Sequence, residues 1–323
     1  MTVSRRVALW SLLAPFAAEL RAQERFPSRP VSIVVPFSAG GTADIVARAL
    51  SPYLERSLGK PIVIVNRQGA GGAIGAAAVA TAKPDGYTLL MALTGVSTNP
   101  EQERVNGRPA PFQLEQLTPL ARITVDPMFV AVRQDSSHQS LKAVLDGARK
   151  RPAALSYASA GVYGVYHVAT EMLAHAAGIS LLHVPYPGGA QAMTALLSGE
   201  VDMGLVTSSV GQPFLKTGKL RPLAVMSEER WKQLPDVPTL GELGINASYT
   251  VWSGLFAPSG TAPEVLNTLD AAIRAASRDA QFVAAIERSG ASLAYLDAAP
   301  FAQFWRQDSE RLIQAVRRIG KIN

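Results

Sequence analysis

Short runs rich in β-branched residues recur in the first third of the chain. Each run is followed by a turn, and the turn leads into a helical pattern. Residues 31–35 precede a glycine-rich turn at 36–41, and residues 61–65 precede another at 69–72. Runs of this length and composition are typical of buried strands, and the turn residues end them. A third predicted strand lies at 87–93, after the turn residues Pro84-Asp85-Gly86. Strand–helix–strand repetition at this spacing predicts a parallel sheet covered by helices.

The same alternation restarts after residue 128. Predicted strands lie at 129–132, 155–158, 181–184, 203–206 and 223–226. Predicted helices lie at 165–177, 191–198, 262–289 with a break near Asp279, and 299–319. A chain of this length has room for about two domains. We therefore predict an α/β fold of two lobes, in which lobe 2 (residues 125–224) is inserted into a discontinuous lobe 1 (residues 23–124 and 225–323).

Two local signals refine the helix boundaries. Pro52 lies inside the first helical pattern, and it predicts a kink or a split there because proline lacks the amide hydrogen. The pairs Thr239/Glu242 and Thr261/Glu264 have the spacing of capping boxes, in which the two residues cap each other's backbone amides. They predict helix starts at both places.

The N-terminal residues have the layout of a secretory signal. Arg5 and Arg6 form a basic start, residues 7–18 are apolar apart from Ser11, and Ala22 supplies a small residue for cleavage. The apolar run is too short for a membrane-spanning helix, which needs about 20 residues. We predict a signal peptide at residues 1–22, with a short membrane-surface or flexible tail as the alternative.

The composition excludes several classes of site and partner. The chain has 323 residues and no cysteine, so it has no disulfide, thiolate metal site or cysteine nucleophile. A formal net charge of +6 raises the possibility of nucleic acid as a partner. The densest basic clusters, at 149–151 and 317–321, are not interleaved with aromatic residues. We therefore predict no nucleic-acid binding.

The glycine-rich turns are the strongest chemical signal. We name them the first loop (residues 36–41), the second loop (residues 69–72) and the third loop (residues 159–164), and each precedes a predicted helix. Glycine lets a ligand approach the backbone, and a helix N-terminus offers free amide groups to an anion. Because open α/β sheets bind ligands at the carboxyl ends of their strands, the three loops together predict a small anion site without arginine. Each loop alone is more typical of a tight connection.

The patterns for nucleotide binding and catalysis are incomplete. A dinucleotide motif starting at Gly69 has Ile74 in place of its third glycine. Neither Ser38 nor Ser159 has the first glycine of the hydrolase pattern G-x-S-x-G. An exported hydrolase that pairs one of these serines with His167 stays an alternative, although it needs an acid partner.

Three candidate polar residues also have structural interpretations. His167 fits a packing position as well as it fits a position lining a ligand. Asp44 can brace its own loop, since it lies in the first turn of a predicted helix. Asp202 is more typical of a turn at the start of a strand.

An ordered set of motifs extends over nearly the whole chain after residue 22. The set comprises Pro36-Phe-x-x-Gly-Gly-x-x-Asp44, Asn66-x-x-Gly-Ala-Gly-Gly72, Pro84-Asp-Gly-Tyr-Thr-Leu89, Tyr157-Ala-Ser-Ala-Gly161, His167, His183-Val-Pro-Tyr-x-Gly-Gly189, Gly199-x-Val-Asp202, Pro235-Asp-Val-Pro-Thr239 and Ala257-Pro-x-Gly-Thr261. In this order the set resembles the Bug-type extracytoplasmic solute receptors of tripartite tricarboxylate transporters.

The resemblance implies a fold, a function and a location. The fold is a type II-like periplasmic binding protein, with two lobes, each a mainly parallel sheet flanked by helices, and a hinge between them. The function is a non-enzymatic receptor, without cofactor or metal, that binds a small carboxylate and delivers it to the permease subunits of the transporter. We expect a periplasmic monomer. A ligand-sensing partner of a membrane kinase is an alternative role.

The resemblance also assigns the ligand-binding positions, mostly backbone groups. Those in lobe 1 are Phe37, Ser38, Ala39, Gly40, Gly41, Asp44, Ala70, Gly71, Gly72 and Thr94. Those in lobe 2 are Ala160, Gly161, Gly164, His167, Tyr186, Gly188, Gly189, Asp202 and Thr207. The chain departs from the family at Gly164, where a small hydroxyl residue is usual, and Tyr163 and Tyr166 flank it. Both aliphatic and aromatic carboxylates are therefore open as ligands.

Overall fold

The computed structural model describes residues 26–321, so the signal peptide predicted at residues 1–22 lies outside the described residues. The strands of the described part are β1 (Val31–Val35), β2 (Ile62–Asn66), β3 (Thr88–Leu93), β4 (Leu117–Arg133), β5 (Ser156–Ser159), β6 (Leu182–Pro185), β7 (Met203–Thr207), β8 (Leu220–Val225), β9 (Thr250–Pro258) and β10 (Ser292–Leu296). Its α-helices are α1 (Thr42–Leu58), α2 (Ala73–Ala80), α3 (Asn99–Val105), α4 (Leu141–Lys150), α5 (Val165–Ala177), α6 (Gly189–Ser198), α7 (Ser208–Lys216), α8 (Pro263–Ser277), α9 (Ala280–Arg288) and α10 (Ala298–Ile319). None of these helices is long and apolar enough to cross a membrane.

The strands form two sheet regions that share β4. The order along the sheet is β2-β1-β3-β9-β4-β7-β5-β6, and both β8 and β10 also pair with β4. The pairs β1–β2, β1–β3, β5–β6 and β5–β7 are parallel, as the strand–helix alternation predicts. The two-lobed α/β fold expected from the sequence is confirmed.

β4 changes partners in the middle of its length. Residues from Leu117 to Pro127 pair with β9, whereas those from Met128 onward pair with β7 and β8. One continuous strand therefore passes from the sheet of lobe 1 into the sheet of lobe 2. The chain returns after β8, by the segment that leads to β9. The exact lobe boundaries stay predictions.

Each sheet region is covered by helices over an apolar core. In lobe 1, Trp252 and Phe256 of β9 pack against Phe301 and Trp305 of α10. In lobe 2, apolar residues of α6 pack with Phe129 of β4. These layers leave the carboxyl ends of the parallel strands, where the glycine loops begin, at the boundary between the lobes.

Two helices differ from the predicted boundaries for local reasons, since α1 is not split at Pro52 and α8 does not begin at Thr261. α1 runs unbroken through Pro52, and the Ser51 hydroxyl donates to the Arg48 carbonyl (3.2 Å), which the missing proline amide would leave unpaired. α8 begins after Ala262 rather than Thr261, whose hydroxyl donates to the Pro258 carbonyl (2.7 Å).

The other predicted capping box forms without a helix. The Thr239 amide donates to Glu242 (2.8 Å), and the Glu242 amide donates to the Thr239 hydroxyl (3.1 Å). These reciprocal bonds close a turn in the segment between β8 and β9.

Candidate functional site

The first loop is fixed by a buried carboxylate. Asp44, in the first turn of α1, accepts hydrogen bonds from the Gly40 amide (2.9 Å), Arg48 Nε (2.8 Å) and Asn66 Nδ2 (3.0 Å). Asn66 Nδ2 also donates to the Phe37 carbonyl (3.0 Å). Asp44 and Asn66 together therefore hold the first loop against the end of β2.

The charge on Asp44 follows from these bonds. Burial raises its pKa, but hydrogen bonds from Arg48, the Gly40 amide and Asn66 outweigh this effect and hold the pKa below its ordinary value. Asp44 is therefore ionised at neutral pH. Because protein donors already bond to both carboxylate oxygens, its geometry suits bracing of the loop better than direct contact with a ligand.

The second and third loops meet where their glycines face each other. Gly71 has φ +61°, and a Cβ added to it would lie 2.7 Å from the Val162 carbonyl oxygen and 3.2 Å from the Gly164 nitrogen. A Cβ on Gly161 would lie 3.2 Å from the Gly71 nitrogen. The close approach of the lobes at this point therefore requires glycine.

The first loop meets lobe 2 at residues 186–188, which we call the fourth loop. A Cβ on Gly188 would overlap the Ser38 hydroxyl and would lie 3.2 Å from the Ser38 nitrogen. The Ser38 hydroxyl donates to Gln191 Oε1 (2.6 Å) in the first turn of α6. All four loops thus lie at one boundary between the two lobes, two from each lobe.

The helices that begin at these loops share one kind of N-terminus. Their N-cap residues are all glycines, so no side chain caps their first amide groups: Gly41 for α1, Gly72 for α2, Gly164 for α5 and Gly188 for α6. By contrast, α4 and α9 begin away from the loops and are capped by the side chains of Ser140 and Asp279. The four glycine-capped N-termini direct their positive dipole ends toward the boundary between the lobes, which favours an anion there.

The sequence matches the model of the tripartite tricarboxylate transporter family receptor over residues 46–321. The chain belongs to this family.

Known proteins agree with this assignment. A UPF0065 protein of Pseudomonas sp. strain P51 is 35% identical over 312 residues, which cover 95% of this chain and 92% of that protein. Among solved structures, the periplasmic binding protein BugD is 31% identical with a TM-score of 0.86, covering 91% of this chain and 98% of BugD. MatC from Rhodopseudomonas palustris, solved with bound malate, is 29% identical with a TM-score of 0.84, covering 90% of this chain and all of MatC (100%). The resemblance to Bug-type receptors is confirmed, and the chain is a solute-binding receptor.

A buried chain of hydroxyl groups crosses the lobes of this receptor beneath the loops. Thr42, the first residue of α1, pairs with Thr207 of lobe 2 (2.7 Å between hydroxyl oxygens), and Thr207 pairs with Tyr166 (2.9 Å). Ser209 bridges Thr42 (3.1 Å) and the carboxylate of Asp126. This series of hydrogen-bonded hydroxyl groups links the start of α1 to Asp126 of β4, next to the point at which β4 changes its pairing partners.

Asp126 is the ionisable group at the end of this chain. Burial raises its pKa to about 6, although hydrogen bonds from Ser208 and Ser209 act in the opposite direction. Because the folded-state pKa lies above the ordinary value, Asp126 stabilises the fold most at low pH, and this contribution is lost as the pH rises through about 6.

A second polar cluster lies beneath the third loop of the receptor. The imidazole rings of His167 and His183 stack with 3.8 Å between centroids, and His167 Nδ1 accepts a hydrogen bond from the Tyr163 amide (2.6 Å). His183 Nε2 lies 2.6 Å from the Ser159 hydroxyl. Burial lowers the pKa of His167 to about 3, helped by His183, and burial lowers that of His183 to about 4. Both rings are neutral at pH 7.

The histidine pair predicts a loss of stability in acid. Because their folded-state pKa values lie below the ordinary value of about 6.5, their contribution is present above that pH and is lost as the pH falls toward 4. Urea unfolding at pH 7 and pH 5 should show a smaller pH-dependent loss in His183→Asn than in the wild type, by on the order of 1 kcal/mol. The variant His175→Asn, at an exposed position of α5, is the control for the loss of a histidine as such. An unchanged pH dependence in His183→Asn contradicts the assignment.

The serine–histidine geometry does not fit a nucleophile. The Ser159 hydroxyl donates to the Gly161 carbonyl (3.0 Å), so His183 Nε2–H is the donor in the Ser159–His183 bond. A general base would have to accept the serine proton instead. The alternative pairing of Ser38 or Ser159 with His167 does not form, because Ser38 bonds Gln191 and Ser159 bonds His183. The family is a class of receptors rather than of enzymes.

Most of the predicted site residues lie at or beneath the four loops. Those in the loops or helix starts are Phe37, Ser38, Ala39, Gly40, Gly41, Asp44, Ala70, Gly71, Gly72, Ala160, Gly161, Gly164, Tyr186, Gly188 and Gly189. Thr94, His167 and Thr207 are buried beneath them. Thr94 accepts a hydrogen bond from the Trp252 amide (2.8 Å), which joins β3 to β9. Their contacts with a ligand stay predictions.

Asp202 is set apart from the other predicted site residues. It precedes β7 and accepts hydrogen bonds from the amide and the hydroxyl of Ser156 (both 2.8 Å). Thr207, at the other end of β7, lies five residues along the strand, roughly 16 Å away. The geometry therefore suits the turn interpretation of Asp202, and we leave it out of the candidate site.

Two residues of the site were not in the predicted set. Asn66 ends β2 and holds Asp44, and Gln191 receives the hydrogen bond from Ser38 across the lobes. Asn66 directly follows a β-branched run, so its place at the carboxyl end of a strand was a usable signal. Gln191 had no comparable signal, because its partner is distant in the sequence. Within residues 26–321 no group of three or more histidine or acidic residues is arranged to hold a metal ion.

Proposed function

We propose that this receptor captures a small carboxylate at the four loops between its lobes and delivers it to the permease subunits of a tripartite tricarboxylate transporter. The observation that carries the proposal is the set of four glycine-capped helix N-termini at the lobe boundary. Their uncapped amide groups are suited to a carboxylate, which accepts hydrogen bonds at both oxygens.

The charges around the loops support an anion without a basic side chain as its partner. The predicted ligand-binding residues include no lysine or arginine. Arg48, near the first loop, forms an ion pair with Asp44 (2.8 Å). Selection of the anion would therefore come from backbone amides and helix dipoles. The malate bound to MatC, a relative with the same fold, is a ligand of this class.

The location and partners follow from the same proposal. A receptor related to periplasmic binding proteins would be exported by the signal peptide predicted at residues 1–22 and would act in the periplasm as a monomer. Lobe 1 (residues 23–124 and 225–323) and lobe 2 (residues 125–224) would close on the solute, because contacts made only in the closed state shift the equilibrium toward it.

A thermal-shift screen tests the proposal. A ligand that binds only the folded protein stabilises it by about 2.7 kcal/mol at a hundredfold excess over its dissociation constant. We expect a rise in the midpoint of unfolding with at least one member of a panel of malate, other aliphatic mono- and dicarboxylates and aromatic carboxylates. Neutral sugars and inorganic cations are the controls. The absence of a shift with every carboxylate contradicts the proposal, whether or not a sugar or a cation gives one.

A further inference from the structure

Tyr163, in the third loop, has a strained backbone although it is buried. Its φ is +55°, in the left-handed region that bulky residues rarely adopt, and its side chain is 4% exposed. Such a conformation costs on the order of a hydrogen bond or more and persists only where surrounding contacts hold it. The contacts of Tyr163 therefore indicate what this conformation achieves.

The backbone and hydroxyl of Tyr163 bond to both lobes. Its amide donates to His167 Nδ1 (2.6 Å) within lobe 2. Its carbonyl accepts a hydrogen bond from Gln102 Nε2 (2.8 Å) on α3, and its hydroxyl donates to the Gly320 carbonyl (3.2 Å) at the end of α10. Two of these three bonds cross from lobe 2 to lobe 1.

The groups that receive Tyr163 form a preorganised socket, which we define as Thr98, Asn99, Gln102 and Gly320. Gln102 Nε2 donates one hydrogen to the Tyr163 carbonyl and the other to the Thr98 hydroxyl (2.7 Å). Gln102 Oε1 accepts a hydrogen bond from Asn99 Nδ2 (3.3 Å), which also donates to the Gly71 carbonyl (3.4 Å). The socket is therefore bonded to the second loop as well as to Tyr163.

An ion pair between Glu101 and Arg317 joins the two helices that carry the socket. Glu101 of α3 is 5% exposed and accepts from Arg317 Nε of α10 (2.7 Å) and from Arg104 (3.2 Å). The hydrogen bond from Arg317 is the largest influence on Glu101 and, with that from Arg104, holds the pKa of this carboxyl below its ordinary value. Glu101 is therefore charged, and it joins α3 to the end of α10 at neutral pH.

We propose that Tyr163 is a positioning residue for the ligand site. Its docking in the socket brings Gly161 and Gly164 against Gly71. It thereby sets the fraction of receptor molecules in which the two lobes are closed. The proposal depends on the receptor function proposed above in one respect only, the link between closure of the lobes and affinity for the solute. The docking itself stands on the contacts of Tyr163, and it extends the ligand site to residues that contact no ligand.

Distances between spin labels test the docking without any solute. The chain has no cysteine, so Ser57→Cys in lobe 1 and Thr194→Cys in lobe 2, both exposed positions, give one label on each lobe. We expect the wild type to populate the distance of the docked arrangement. Tyr163→Phe removes the bond to Gly320 and should reduce the docked-to-undocked ratio roughly 2- to 10-fold, as expected for one hydrogen bond. Tyr163→Ala should reduce it further.

Two further variants separate docking from general stability. Gln102→Leu should reduce the docked population as Tyr163→Phe does, because it removes the donor to the Tyr163 carbonyl. Tyr157→Phe is the matched control: it also removes one tyrosine hydroxyl bond, to Glu171 (2.7 Å), but within lobe 2. It should lower the unfolding midpoint and leave the distances unchanged.

Each outcome decides the proposal. Reduced docking in the Tyr163 and Gln102 variants, with Tyr157→Phe unchanged, supports it. Distances that are the same in the wild type and in the folded Tyr163 and Gln102 variants overturn it, and so does a wild type without the docked distance. If no carboxylate binds in the thermal-shift screen, the proposed function fails while this result stands.

Discussion

Replacing Gly71 with alanine should weaken binding of the solute about 5- to 150-fold while both lobes stay folded. The added Cβ would lie 2.7 Å from the Val162 carbonyl oxygen, a backbone atom that cannot rotate away. Overpacking of this kind costs about 1–3 kcal/mol, and each 1.4 kcal/mol is about a factor of ten in affinity. The clash exists only when the second and third loops meet, so its cost falls on closure.

The control for this variant is Gly59→Ala, and calorimetry with the best carboxylate of the screen is the measurement. Gly59 ends α1 with φ +66°, close to the +61° of Gly71, but a Cβ there would meet nothing within 4 Å. Both variants share the cost of a left-handed alanine, and only Gly71→Ala adds the clash between lobes. Equal affinities for the two variants would falsify the role of Gly71 in closure.

Asp44→Ala should lower both the stability and the affinity of the receptor. It removes the acceptor of three hydrogen bonds, from the Gly40 amide, Arg48 and Asn66. Losing bonds of this kind and leaving their donors unpaired costs about 1–3 kcal/mol. Because the first loop is then no longer fixed, we expect affinity to fall at least about tenfold, which corresponds to roughly 1.4 kcal/mol.

Asp279→Ala is a matched control for the Asp44 variant. Asp279 also accepts hydrogen bonds at a helix N-terminus, from the Gln281 amide (2.8 Å) and the Phe282 amide (3.4 Å), and it also pairs with an arginine, Arg56 (3.4 Å). It lies away from the loops, so its variant should lose stability with an unchanged affinity. Urea unfolding and calorimetry measure the two effects. An affinity of Asp44→Ala equal to that of the wild type removes Asp44 from the site.

The sequence predicted the architecture because its signals were local. β-Branched runs such as 31–35, followed by glycines and helical periodicity, specify strands, turns and helices without reference to distant residues. The glycine-rich turns at 36–41 and 69–72 belong to the same class of signal. The predicted order of these elements therefore led to the fold and to the loops that form the candidate site.

The contacts between the lobes could not be predicted in the same way. The bonds of Ser38 to Gln191 and of Gln102 to Tyr163 join residues 153 and 61 positions apart. A single sequence contains no periodicity that links such pairs. His183, rather than His167, bonds Ser159 because β5 and β6 are neighbours in the sheet, with Tyr157 opposite His183. That register is a property of the packed structure.

Local rules also failed where a neighbour supplied what the rule assumes is missing. Pro52 does not break α1, because Ser51 satisfies the carbonyl that proline leaves free. Glu101 likewise joins α3 to α10 through an ion pair with Arg317, which is distant in the sequence. In both cases the deciding partner is a side chain whose role the pattern does not reveal.

The partner change within β4 has a consequence for engineering of this receptor. Leu117 to Pro127 belongs to one sheet and Met128 to Arg133 to the other, so the same covalent strand is a structural member of both lobes. Exchanging a whole lobe would require a junction inside β4, where a mismatch between the two parent sequences would disturb the pairing with β9 on one side and with β7 and β8 on the other. A chimera that exchanges ligand specificity with a relative should therefore graft the loops and keep β4 intact, instead of exchanging a whole lobe.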